Sequence, residues 1–192
     1  MSELYKNYLE WLKQQENAEM KGFKNGKFYP YLAVERSSEG VSTDFKSGKF
    51  DIGYGIKIHT KEQYDAYSKG LDEAQMNSLL EKEVMKSFED AQKYVDNHYP
   101  GKWETLPDEA KFMLTDYDFN LGSVNKFPKM VEGLVNGDFE KVKNEYQRKS
   151  NGKPIKKRNE GTEAFFIKKL DLLKFVPPVQ GKINKLTQDL NN

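Results

Sequence analysis

Two glycines flank a tyrosine in Gly53-Tyr54-Gly55, inside a β-prone run that extends from Phe50 to Ile58. No other stretch constrains the fold as strongly. Glycines two apart clear one face of a strand of side chains, so another part of the chain, or a ligand, can lie close against the backbone there. Asp51 stands beside the cleared face, either as a turn residue or as a working carboxylate. The segments on either side of this run determine the architecture it serves.

Upstream, residues 3 to about 20 have the period of a helix, with Tyr5, Tyr8, Leu9, Leu12 and then Gln15/Glu16 on one stripe. From Gly22 to His59 the pattern changes to short β-prone pieces, Lys27–Leu32 and Phe50–Ile58. Between them the polar, glycine-containing stretch from Ser37 to Gly48 predicts a hairpin with a long loop.

Downstream the chain is almost wholly helical. Thr60 with Gln63 forms a capping-box pattern that opens a short helix. Met76, Leu80, Val84, Phe88, Ala91 and Val95 hold the 3.6-residue period of a long helix to about Asn97. Thr105 and Asp108 open the next helix and Gly122 stops it. Shorter helices are predicted near 125–136, 138–149 and 159–174, with Asp138 as an N-cap. Pro177-Pro178 breaks the chain before a polar tail, 177–192. The expected class is α+β and mostly helical. A small β-hairpin lobe (about 20–60) and a larger helical lobe (71–176) would form one domain over 1–176, and a cleft between such lobes is a usual ligand site.

Composition excludes several chemistries. The chain has 192 residues and no cysteine, so it has neither a disulfide framework, nor a thiolate metal site, nor a cysteine nucleophile. The 2 histidines, His59 and His98, are not at metal-ligand spacing, and no calcium loop, P-loop or dinucleotide fingerprint is present. No metal or cofactor is therefore expected. Lys and Arg number 31 against 30 Asp and Glu, which argues against a nucleic-acid partner. No apolar run approaches the roughly 18 residues of a membrane span, and the N-terminus lacks the pattern of a signal peptide.

The candidate chemistry rests on carboxylates. Glu16 falls on the inward stripe at the end of the first helix, where partial burial would suit it to general-acid work. Glu19 lies on nearly the same face, and a solvated surface glutamate is the plain alternative for both. Asp51 and Glu35 are further acids in the β-containing region, the latter within Val34-Glu35-Arg36, where pairing with the neighbouring cation is the simpler reading. Asp118-Phe119-Asn120-Leu121-Gly122 ends a helix with an aromatic and an amide, which suit either a sugar subsite or an ordinary glycine stop. Lys153, Lys156, Lys157 and Arg158 form a basic segment, either a solvated loop or an anion-pairing surface.

Taken in order, these pieces resemble the phage-type lysozymes, the endolysin muramidases of glycoside hydrolase family 24. The matching residues are Glu16-Asn17 with Gly22-Phe23-Lys24-Asn25-Gly26, Tyr29-Pro30-Tyr31, and Asp51-Ile52-Gly53-Tyr54-Gly55. They continue with Leu71-Asp72-Glu73-Ala74, Leu79 to Val84, Phe119-Asn120-Leu121-Gly122 with Asn125 to Pro128, and Lys156-Lys157-Arg158 with Phe165-Phe166. The resemblance runs from about residue 4 to 175. It implies a two-lobed lysozyme-like fold acting, as a monomer, on the β-1,4 bond between N-acetylmuramic acid and N-acetylglucosamine of peptidoglycan.

By that resemblance Glu16 is the general acid and Asp51 the second catalytic carboxylate. Glu35, Tyr54, Phe119, Asn120 and Arg158 are substrate-binding residues. The chain departs from the family where Asp51 replaces a usual Thr and Ile56 a usual His. The family's Asp or Cys between the catalytic Glu and the hairpin strand has no clean match, Ala33 and Glu35 falling nearest. Either Asp51 takes over the second carboxylate's role or the site is altered. A non-catalytic glycan-binding or virion structural module and a lytic transglycosylase are the alternatives. Residence in a host cytoplasm before release to the wall, or in a virion, is the expected location.

Overall fold

A computed structural model of the chain describes residues 3–17, 19–32 and 49–173. The described chain is mostly helical, with small antiparallel sheets, an α+β arrangement. It divides into two compact units, Met1–Asp90 with Thr115–Gly122, and Ala91–Leu114 with Ser123–Asn192. The first unit contains the expected β region together with the helices on either side of it. Glu35 and the 177–192 tail lie outside the described residues.

In the first unit, helix α1 (Glu3–Glu16) buries Tyr5, Tyr8, Leu9 and Leu12, the predicted stripe. It stops at Glu16 rather than near residue 20. The Asn17 side chain ends it: Oδ1 accepts the Lys21 backbone N–H at 2.8 Å and Nδ2 donates to the Lys21 carbonyl at 3.0 Å. Asparagine offers the backbone this local alternative to the helix, and the chain turns back on itself.

The β region is more finely divided than the single long hairpin expected. Strands β1 (Phe23–Lys24) and β2 (Lys27–Phe28) pair as a tight hairpin, and β3 (Tyr31–Leu32), β4 (Phe50–Ile52) and β5 (Ile56–Ile58) form a three-stranded antiparallel sheet. Phe50–Ile58 is thus two strands, and Gly53-Tyr54-Gly55 is the turn between them. Both glycines have positive φ, +55° and +77°, which a strand does not tolerate and a tight reversal requires. Phe50, Ile52, Ile56 and Ile58 are buried beneath this sheet with Met76, Leu80 and Val84 of the following helix.

Helix α2 (Lys61–Tyr67) opens with the predicted capping box, Thr60 accepting from the Gln63 N–H and Gln63 reaching back to the cap backbone. Helix α3 (Glu73–His98) keeps its apolar stripe for the whole of its 26 residues. Helix α4 (Asp108–Leu121) closes at Gly122, and its last part, from Thr115, belongs to the first unit.

The second unit contains the rest. Helix α5 (Pro128–Asn136) ends at Gly137, and α6 (Phe139–Glu145) is capped by Asp138, whose carboxylate accepts the Lys141 N–H at 3.0 Å. The helix predicted over 138–149 stops short at Glu145. Strands β6 (Lys149–Ser150) and β7 (Lys153–Pro154) form a hairpin there, which the sequence pattern did not reveal. Asn159 anchors it, accepting from the Arg148 N–H at 2.8 Å and donating to the Arg148 carbonyl at 3.0 Å. Helices α7 (Lys156–Thr162) and α8 (Lys168–Leu173) are joined by one π-helical turn, Glu163–Ile167. Among the described residues no helix is long and apolar enough to cross a membrane.

The turn at Gly53 gives the sharpest test of this packing. A Cβ there would run into the Met76 thioether and would also hold φ at +55°. Gly53→Ala is expected to lower unfolding stability in urea by about 2–4 kcal/mol, adding the left-handed backbone penalty to core overcrowding. A change under about 0.5 kcal/mol would contradict the turn described here.

Candidate functional site

Glu16 occupies the last position of α1, and Asn17 ties that position to the glycine turn. Besides its bonds to Lys21, Asn17 Nδ2 donates to the Gly53 carbonyl at 2.7 Å, a buried bond 36 residues apart in sequence. Asn17 is only 5% exposed. With this tether in place, the Glu16 carboxylate lies beside Gly55: a Cβ built there would stand 3.3 Å from Glu16 Oε2. The cleared glycine face therefore admits a carboxylate of the chain itself. Glu16 Oε1 is shielded from solvent.

Glu16 and Gly55 form one wall of a cavity of about 350 Å³, lined wholly by residues of the first unit. That volume falls within the usual range for small-ligand sites. Ile56 and Lys57 of β5, and His59 just beyond it, continue the wall. Glu83, Lys86, Ser87 and Asp90 face it from α3, and Asp118 to Gly122 close it at the end of α4. Asn120 is held by its own helix, with Nδ2 donating to the Asp116 carbonyl at 2.9 Å and to Asp116 Oδ1 at 3.1 Å. Its side-chain oxygen acts as an acceptor.

Asp118 is largely buried in this wall. Burial and the neighbouring Asp90 push its carboxyl above the usual range, opposed by a hydrogen bond from Ser87 and by Lys86. The sequence marks this helix end, but nothing in its pattern singles out the Asp118 carboxylate. Glu83, Lys86, Ser87 and Asp90 were also missed, although their spacing places them together on α3, beside the apolar stripe of Leu80 and Val84.

Asp51 lies elsewhere in the same unit. It is half-buried on β4, directly opposite Tyr31 on β3 and Lys57 on β5, and it does not line the cavity. Its Oδ1 is buried without a hydrogen-bond partner among the described residues. Burial raises its carboxyl above the ordinary 3.8, partly offset by Lys57. Tyr54 also faces away from the cavity: its ring packs against Phe28 at 5.5 Å, under the Lys13 ammonium at 5.8 Å. Glu19 is solvent-exposed and pairs with Lys21 at 3.6 Å, so of the two acids only Glu16 reaches the cavity. Arg158 belongs to the second unit, on α7, where it is largely buried.

The structure thus brings together Glu16, Phe119 and Asn120 of the expected site residues. Among the described residues, no group of three or more acidic or histidine side chains is placed to hold a metal ion.

The pKa of Asp51 makes a stability prediction with a definite sign. Below 3.8 its carboxyl is protonated folded or unfolded, and it adds no pH dependence. As pH rises toward the higher native value the unfolded chain ionises first, so stability falls; above that value the penalty is constant. Asp51→Asn should therefore raise the melting temperature at neutral pH, with the gain vanishing at low pH. Destabilisation at pH 7 would show instead that the ionised carboxylate is held favourably.

No protein-family model, curated protein or solved structure matches this chain.

Proposed function

We propose that the protein is a peptidoglycan hydrolase of the muramidase type with a two-lobed, lysozyme-like fold, cleaving the β-1,4 bond between N-acetylmuramic acid and N-acetylglucosamine. One observation carries this reading. Three segments far apart in sequence, the end of α1, the glycine turn and the end of α4, meet at a single polar cavity with a shielded carboxylate in its wall. They are the segments on which the resemblance to phage-type lysozymes rests.

The chemistry assigns Glu16 the general-acid role. Glycosidic cleavage needs a proton delivered to the leaving oxygen as positive charge builds on the sugar ring. Glu16 is held for this by Asn17 and by the missing side chain at Gly55. Phe119 offers an apolar surface for a sugar face, and the Asn120 carbonyl accepts from a sugar hydroxyl or acetamide N–H. Asp51, with a half-buried carboxylate, stabilises or activates from the sheet side. The partner is the glycan strand, and the protein acts on it as a monomer, reaching the wall from a host cytoplasm or a virion.

One observation favours a second reading. Asp51 stands outside the cavity wall that contains Glu16, as a lytic transglycosylase working with a single acid would allow. Such an enzyme leaves anhydro-muramic ends rather than reducing ends, so mass spectrometry of a wall digest separates the two.

Glu16→Gln is expected to reduce release of reducing ends from purified walls by about 10²–10⁴-fold, the range for losing a general acid. Its melting temperature should stay within a few degrees of the parent. Glu19→Gln should retain full activity, because Glu19 is exposed, pairs with Lys21 and does not line the cavity. Undiminished hydrolysis by Glu16→Gln would remove the assignment.

A further inference from the structure

Between Glu16 and Asp51 stands a residue given no role so far. Tyr31 pairs directly with Asp51 across β3 and β4, so the two side chains share one face of the sheet. Its ring lies over Gly22, where a Cβ would come within 2.8 Å of Cδ1, and this fixes the direction of the phenol. The hydroxyl reaches the glycine turn and donates to the Gly53 carbonyl at a long 3.3 Å. The Gly55 backbone hydrogen-bonds to the same hydroxyl. Gly55 is also where the Glu16 carboxylate abuts the turn.

We propose that Tyr31 is a positioning residue that couples Glu16 to Asp51, its side chain sharing the sheet face of Asp51 and its hydroxyl lying at the glycine turn that Glu16 abuts. This rests on the hydrolase reading for its role in turnover, but the coupling is a property of the site itself.

The hydrogen-bond inventory of the phenol supports the idea. Its oxygen offers one proton and two lone pairs. The proton is directed at Gly53 O over a distance at the weak end of the range, and the Gly55 N–H takes one lone pair. A lone pair is left for a protonated carboxyl. The weakly held proton is free to turn toward an ionised one, and Asp51 Oδ1 is buried with no donor on it among the described residues. The same hydroxyl can therefore accept from an acid and donate to a base. Burial first, then the charges of Asp51 and Glu16, push the phenol up to about 12, against the Gly55 bond, so it stays neutral wherever carboxylates titrate. The charge acting on Asp51 comes instead from Lys57. Among the described residues, the charged groups acting on the phenol and its pair are thus Glu16 from α1, Asp51 from β4 and Lys57 from β5.

The test uses tyrosine labelled with ¹³C at Cζ, with the Tyr31 signal assigned by its absence in Tyr31→Phe. In the folded protein the signal should move with pH between about 3 and 8 in two steps, one lost in Asp51→Asn and the other in Glu16→Gln. In wall hydrolysis, Tyr31→Phe should shift the acid limb of the pH profile up by about one unit, since a carboxylate deprived of a donor is harder to ionise. It should lower kcat about tenfold with KM unchanged, the mark of a group that acts on the reacting centre rather than on binding. A Tyr31 signal flat across that range, or a Tyr31→Phe profile that superimposes on the parent, would overturn the proposal. Absence of any wall cleavage by the parent protein, with both steps still present in the spectrum, would defeat the hydrolase reading and leave the coupling standing.

Discussion

The hydrogen bond from Asn17 to the Gly53 carbonyl is the constraint on which the candidate site depends. It joins the end of the first helix to a turn in the sheet, and it is buried, so no water replaces it when it breaks. The same side chain closes the turn that follows the helix through both atoms of the Lys21 peptide. One amide thus stops α1, reverses the chain and docks the helix end on the sheet. Glu16, its immediate neighbour, is placed against the sheet at this junction.

The glycine turn is the other half of the junction. Its two glycines are cleared for different reasons: Gly53 makes room for Met76 of the core, Gly55 for the Glu16 carboxylate. Tyr54 between them turns toward Phe28 and Lys13 and closes the outer side. Three consecutive residues therefore face the core, the helix α1 surface and the carboxylate. A strand, alternating between two faces, offers no such arrangement. This is why a pattern that reads as a strand with a cleared face folds as a reversal.

Much of the helical framework was legible because its signals are local. The capping box at Thr60, the Asp138 cap, the Gly122 stop and the apolar stripe of α3 each depend on residues within a turn or two of one another. The end of α1 was misjudged because its cause is a side chain bonding four residues ahead and 36 residues away, and periodicity carries neither. Glu16, Phe119 and Asn120 could be named in advance because they occupy element ends, where the chain announces its breaks. The α3 wall could not, because Glu83, Lys86, Ser87 and Asp90 look like the solvated face of any amphipathic helix. Only the tertiary placement of that face turns a polar stripe into a cavity lining. Tyr31 went unread for a related reason: its partner Asp51 is fixed by strand register, across a stretch too long for spacing to predict.

Asp51 is where folding and the proposed chemistry oppose each other. Its carboxyl is pushed up by burial, and the neighbouring Lys57 offsets this only in part. Burying a carboxylate with an unsatisfied oxygen opposes folding, and an asparagine of the same shape would avoid most of that penalty. Position 51 is a cross-strand site in a three-stranded sheet, where β-branched residues fit well and Asp is disfavoured. Neither packing nor propensity accounts for an acid here. A residue that weakens the fold at a junction otherwise built for rigidity has the character of a functional group, since strain of this kind collects where activity requires it. The placement of Tyr31 supplies the physical link in that proposal: an acid that does not line the cavity would act on it through a phenol at the turn that Glu16 touches.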